Sequence, residues 1–162
     1  MNKIAILTLA ALPLAACNTN TAVGNDREAQ LDPPAMAAPI ESAASALANL
    51  SPGLMLPETM SDADLAALGA ENTCQFRLTE VAFPSFVYDN SGRGAIKING
   101  KLIPVTTSAA GNYANGELRI STRLLDDEGD AGLQMQELIV AGPRMKDEFG
   151  FWGYTTCGNS EP

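Results

Sequence analysis

Histidine is absent from the 162-residue chain. Within this chain that excludes histidine metal sites, activation of serine or cysteine by histidine, and a histidine pH switch. Basic residues are few: 10 Lys and Arg stand against 19 Asp and Glu, a net charge of −9. A surface of that sign repels nucleic-acid backbones and is not drawn to anionic lipid, so no nucleic-acid partner is expected. Cysteine is limited to Cys17, Cys74 and Cys157, without a CxxC pair, and aromatic residues make up only 6%. The apolar run Ile4 to Leu14 is about half the length that a permanent membrane span requires.

That run is nevertheless the first thing the chain offers. Lys3 gives a short positive start, and Leu14-Ala15-Ala16-Cys17 ends the apolar segment with small residues before a cysteine, so residues 1–16 read as a signal peptide. Leu14-Ala15-Ala16-Cys17 resembles the lipobox of bacterial lipoproteins. The resemblance implies diacylation of the Cys17 sulfur, cleavage before Cys17 and acylation of the new amino terminus. Cys17 would then be the lipid-attachment residue and the membrane a partner through several acyl chains, which hold far better than one. Asn18 stands where an Asp would resemble the inner-membrane retention signal, so the resemblance implies an outer-membrane address, with the domain facing the periplasm. A plain secretory signal cut near Ala16 is the alternative. Loss of the signal removes Lys3 and no acid, leaving the mature chain more acidic still.

Residues 17–56 are mostly Ala, Pro, Asn and Ser, interrupted at Asp32-Pro33-Pro34, Ala38-Pro39 and Ser51-Pro52-Gly53. The composition predicts a flexible, lipid-anchored tether, because few large apolar side chains offset the entropy of ordering the backbone. Extended to Pro39, it would reach on the order of 60 to 70 Å from the membrane at about 3 Å per residue. Within it, Ile40 to Leu50 reads equally as a short helix or an alanine-rich linker.

From 57 to 162 the pattern is that of a β domain. It opens with a helix: Ser61 as N-cap, Asp64 three positions on to reach back to the cap, Leu65 and Leu68 on one side, Gly69 as the stop. The helix is expected to dock by its leucine side as a cover for a sheet edge or a barrel end, the alternative being a free appendage. Cys74 and Cys157 bracket the strand-rich region, and in an oxidising compartment such a pair reads as a disulfide.

Between them the period is close to two. Strands are expected around Phe76, from Phe86 to Tyr88, on both sides of the Asn99-Gly100 turn, from Leu118 to Arg123, from Met135 to Val140 and from Phe149 to Cys157. Asn-Gly suits a type I' turn, which pairs Ile98 with Lys101 and Ile96 with Ile103. The fold expected is mainly β, a small antiparallel β-barrel or sandwich of six or seven strands with one short N-terminal helix. In size and layout it resembles small periplasmic β-barrel lipoproteins such as the membrane-bound lysozyme inhibitors. No stretch matches their inhibitory loop, so no inhibitor residue carries over.

Four residues are candidate partner contacts. Arg119 and Arg123 share a strand face with Ser121 between them, either a solvated face paired to acids or a contact for an acidic partner. Trp152 and Tyr154 fall on the face opposite Phe149 and Phe151, covered by the Leu65–Leu68 helix or forming an exposed aromatic surface, and Gly153 between them suits either the close approach of a backbone or sugar or the packing of a neighbouring strand. Asp126, Glu128, Asp130 and Glu137, at positions one, three, five and twelve, partly match a calcium loop, but Ala131 stands where that loop needs glycine and the flanks read as strands, so with Asp127 they read as a solvent-exposed turn. No metal site and no cofactor is therefore expected. Ser85, Ser91 and Ser108 lie in loop-like sequence without a Ser-x-x-Lys arrangement, so no enzyme is expected. The function expected is a non-enzymatic binding or envelope-structural lipoprotein with a protein or envelope-glycan partner. The alternative is an acidic inhibitor of a basic exported hydrolase such as a lysozyme.

Overall fold

Asn99 and Gly100 form the expected positive-φ pair, at φ 55° and 64°. Ile98 lies opposite Lys101 and Ile96 opposite Ile103, so the isoleucines enter the core together. The structure, a computed structural model, describes residues 35–70 and 73–158. The signal peptide, Cys17 and the first part of the expected tether lie outside the described residues. The hairpin is made by β3 (Arg93–Ile98) and β4 (Lys101–Ala109). Preceding it are β1 (Cys74–Arg77) and β2 (Phe86–Tyr88); following it are β5 (Asn112–Asn115), β6 (Leu118–Glu128), β7 (Gln134–Ala141) and β8 (Phe149–Cys157). Every strand pairs antiparallel with the next, and β8 pairs with β1, so eight strands close into a barrel. Closure removes the free sheet edges that a sandwich would have to protect.

Cys74 and Cys157 face each other across the β1–β8 seam and are disulfide-bonded. The bond joins the first strand to the last. Phe76, Phe86, Ile96, Ile120, Leu138 and Val140 fill the interior beside it. Phe149 and Phe151 point inward as expected, Phe151 against the core. Gly153 also points inward, where an added Cβ would collide with the Phe76 ring and the Arg77 carbonyl. Its glycine is a packing requirement between adjacent strands, not an opening for a ligand. Pro104 does not end β4, because its missing N–H lies on the side away from β3: Leu102, two residues earlier, turns its N–H to Pro39.

Residues before 57 are part of this body, which shortens the expected tether. Ser42 caps a one-turn helix, α1 (Ala43–Ala46), and Ala43, Ala46, Leu47 and Met55 are buried in the barrel core. Three turns at one barrel end hold this segment. Asn115 Oδ1 accepts from Ala43 N at 3.3 Å, Asn99 Nδ2 donates to Ala46 O at 3.2 Å, and Arg144 Nη2 donates to Ala48 O and Leu50 O at 3.2 Å. That end is thereby plugged.

The second helix, α2 (Asp62–Leu68), has the expected capping box and ends at Gly69 with φ 63°. Leu65 and Leu68 dock as expected, but their site is the outside of β2–β4, over Val87, Ala95 and Leu102. Outward Leu102 is consequently fully buried, and the strand beneath it bridges Ile40. Among the described residues no helix is long and apolar enough to cross a membrane.

Candidate functional site

The outer face of β6, β7 and β8 is left uncovered by both helices. Cross-strand register places Arg123 opposite Glu137 and Glu137 opposite Trp152. Arg123 donates to Glu137 Oε2 from Nη2 at 2.7 Å and from Nε at 3.1 Å. The Trp152 indole donates from Nε1 to the other oxygen, Oε1, at 3.3 Å. A single carboxylate therefore orients a guanidinium on one side and an indole on the other. Arg123, and after it the indole N–H, hold the Glu137 carboxyl below the usual carboxylate range, so the row stays charged at neutral pH.

Trp152 is 71% exposed. Its strand neighbour two positions back is Gly150, opposite Ile139, so that strand position adds no side chain next to the ring. The loop that follows β1, the strand beside β8, exposes Val81 and Phe83. On the face itself an exposed aromatic ring stands beside an oriented ion pair.

The four candidate contact residues do not behave alike. Arg119 and Arg123 share the outer face of β6, as alternation requires. Arg123 is paired, whereas Arg119, between Ala114 and Ala141, makes no ion pair among the described residues. Tyr154 faces outward with Trp152 but is half-buried, because Gly129 of the β6–β7 turn lies against its ring. Trp152 is bare and Tyr154 is covered, by that turn and not by α2.

The acidic stretch is a strand end as much as a turn. β6 runs on through Asp126, Asp127 and Glu128 past an irregularity after Leu124, and the chain reverses at Gly129–Gly132. Glu80 accepts from Ala131 N at 2.8 Å and ties the tip back to the barrel. Glu137 is not in this turn at all; it belongs to β7. Among the described residues no group of three or more His, Cys, Asp or Glu side chains is placed to hold a metal ion.

Sequence reasoning missed Glu137 as the centre of the face, having counted it as the twelfth position of a calcium loop. The signal was in the hairpin: a reversal centred on Asp130 puts Glu137 directly opposite Arg123. The family model described as Domain of unknown function (DUF6692) matches residues 13–160, and the chain belongs to that family. No curated protein and no solved structure matches it.

Proposed function

We propose that this member of the DUF6692 family is a non-enzymatic outer-membrane lipoprotein, anchored through Cys17, that binds a protein partner on its Trp152 face. The observation that carries the reading is an indole 71% exposed yet already held in place through Glu137 and Arg123. An ordered side chain loses little entropy on docking, and Trp and Arg are the residues that dominate interface energies. The face is the outer wall of a barrel, a kind of surface that suits a macromolecule better than a small molecule. The lipobox resemblance of Leu14-Ala15-Ala16-Cys17 supports the anchor.

A second reading, an inhibitor of a basic exported hydrolase, draws on the exposed Asp126, Asp127, Glu128 and Asp130 at the tip that adjoins Tyr154. Those carboxylates would steer a cationic partner toward the face.

Crosslinking pull-down from native envelopes tests the face, with the lipidated protein compared with Trp152→Ala. The variant is expected to lose its dominant partner, with affinity falling about 30-fold or more, the equivalent of a hot-spot residue. Its folding stability should change by no more than ~0.5 kcal/mol, because the ring is exposed. An unchanged partner profile would remove recognition from this face. A captured basic hydrolase whose activity falls on binding would favour the second reading. Intact mass of the membrane-extracted protein should show acylated Cys17 as its first residue, and an unmodified cysteine would sink the anchor.

A further inference from the structure

Polarity along the inside of the barrel changes from one end to the other. Toward the plugged end, Val140 and Leu138 on β7 stand opposite Phe149 and Phe151 on β8. Toward the open end, Gln136 and Gln134 stand opposite Gly153 and Thr155. Gln136 is only 2% exposed; its Nε2 donates to Tyr88 Oη at 3.1 Å and its Oε1 has no partner. A leucine, as at position 138 on the same face, would pack there without leaving an oxygen unpaired, so core packing does not account for the amide. What the amide does is occupy one lone pair of Tyr88 Oη and turn the hydroxyl proton away from Gln136. The other hydroxyl near it is Thr155 Oγ1, at the hydrogen-bond limit of 3.5 Å.

Tyr88 and Thr155 line a cavity of about 450 Å³ at this mouth, with Leu124, Leu133, Gln134 and Cys157 around them. The volume falls in the range of sites for small organic molecules. Although the chain carries 19 acidic residues, no charged side chain among the described residues lines the cavity. A charged guest would enter without a counter-charge, so the lining selects neutral ones.

We infer that the barrel mouth binds a small neutral molecule with an apolar body and one hydroxyl or carbonyl oxygen. The leucines and the Tyr88 ring take the body. The Tyr88 and Thr155 hydroxyls take the oxygen, with Gln136 as the positioning residue behind Tyr88. The site does not depend on the Trp152 face, because Thr155 points into the barrel and Trp152 out of it.

The probe for the test is 6-acetyl-2-(dimethylamino)naphthalene, a neutral ketone whose emission moves to the blue in apolar surroundings. It is titrated into the full chain carrying Cys17→Ser, so that no acyl chain or detergent offers a competing apolar phase. A saturable one-to-one blue shift is expected. Leu133→Trp, which fills the half-exposed rim, should weaken it tenfold or more with an unchanged unfolding midpoint. Tyr88→Phe should weaken it about threefold to tenfold, the effect of one hydrogen bond, and Trp152→Ala should leave it unchanged. The side-chain amide resonances of Gln136 should shift on saturation. A blue shift that does not saturate, or one that Leu133→Trp leaves intact, overturns the site. Binding that survives Tyr88→Phe undiminished overturns the assignment of the oxygen-bearing class.

Discussion

Asp64→Ala is expected to destabilise the domain by about 3–5 kcal/mol, the cost of leaving a buried charge without its partner. Asp64 is 1% exposed and serves three donors at once. Its Oδ1 accepts from Ala38 N at 2.6 Å, and its Oδ2 accepts from Ser61 N and from Lys97 Nζ, both at 2.8 Å. One carboxylate thus closes the capping box of α2, fastens the segment before Ile40 and ties both to the outward side of β3. Its removal also strands Lys97, whose side chain is only 18% exposed. Urea denaturation of Asp64→Ala, Lys97→Met and the double variant separates the parts. The double variant should recover stability relative to Asp64→Ala alone, because an apolar stem in that place carries no charge to desolvate. A loss below ~1 kcal/mol in Asp64→Ala would mean that α2 and its strap are held by the leucines alone.

The same carboxylate gives the domain an acid limb. Burial by itself would raise the Asp64 pKa, but the bonds from Lys97, Ala38 and Ser61 outweigh it and hold the pKa at about 2, below the ordinary 3.8. A depressed carboxyl binds its proton more readily in the unfolded chain, so its stabilisation is complete above pH ~4 and is lost as pH falls toward ~2. At 1.36 kcal/mol per unit that amounts to about 2 kcal/mol. Asp89 is also lowered to about 2, through the Ser91 hydroxyl first and then Arg93, so it titrates in the same window. Asp64→Ala should therefore flatten the acid limb in part and leave the Asp89 contribution standing.

The parts of this fold legible in the sequence were those fixed by neighbours along the chain. The Asn99-Gly100 turn set its own register, Ser61 and Asp64 announced the start of α2, and alternation put Trp152 outside and Phe151 inside. The strand Asn112–Asn115 was not legible, because its four residues hold one large apolar side chain, Tyr113, between asparagines that read as turn. Nor was the barrel plug. Ala43 and Leu47 stand at the helical spacing that made Ile40 to Leu50 a candidate helix, but the helix is a single turn of small residues, and Met55 follows only after a 3₁₀ turn at Pro52–Leu54, so no sustained apolar period marks the segment as core. Asp64 was read as half of a capping box, which it is; its bond to Lys97 spans 33 residues and belongs to tertiary packing. The Arg123–Glu137–Trp152 row was hidden for the same reason, since each residue sits on a different strand and is ordinary until the register is known.

Loss of the Cys74–Cys157 bond, in a Cys74→Ser, Cys157→Ser double variant, is expected to cost about 4–5 kcal/mol on the chain-entropy argument for a loop of this length. The bonded residues are 83 apart in sequence, so the bridge removes much of the freedom of an unfolded chain. The native barrel depends on it less. β1 and β8 remain paired from Cys74–Cys157 through Arg77–Tyr154, Phe76 still fills the inside of that seam, and the plug at the far end is made by residues 43–55, which the bond does not touch. If the effect lies in the unfolded state, the double variant should keep a native-like structure at neutral pH. It should also show a larger denaturant slope, because its unfolded chain exposes more surface. Hydrogen exchange would then rise uniformly through global unfolding. If the bond instead holds the seam, exchange should rise first at the amides of β1 and β8, and the open mouth, where Cys157 lines the cavity, should lose the binding of the naphthyl ketone proposed for it before the barrel unfolds. A destabilisation under ~1 kcal/mol would contradict both accounts and leave barrel closure to the β1–β8 hydrogen bonds alone.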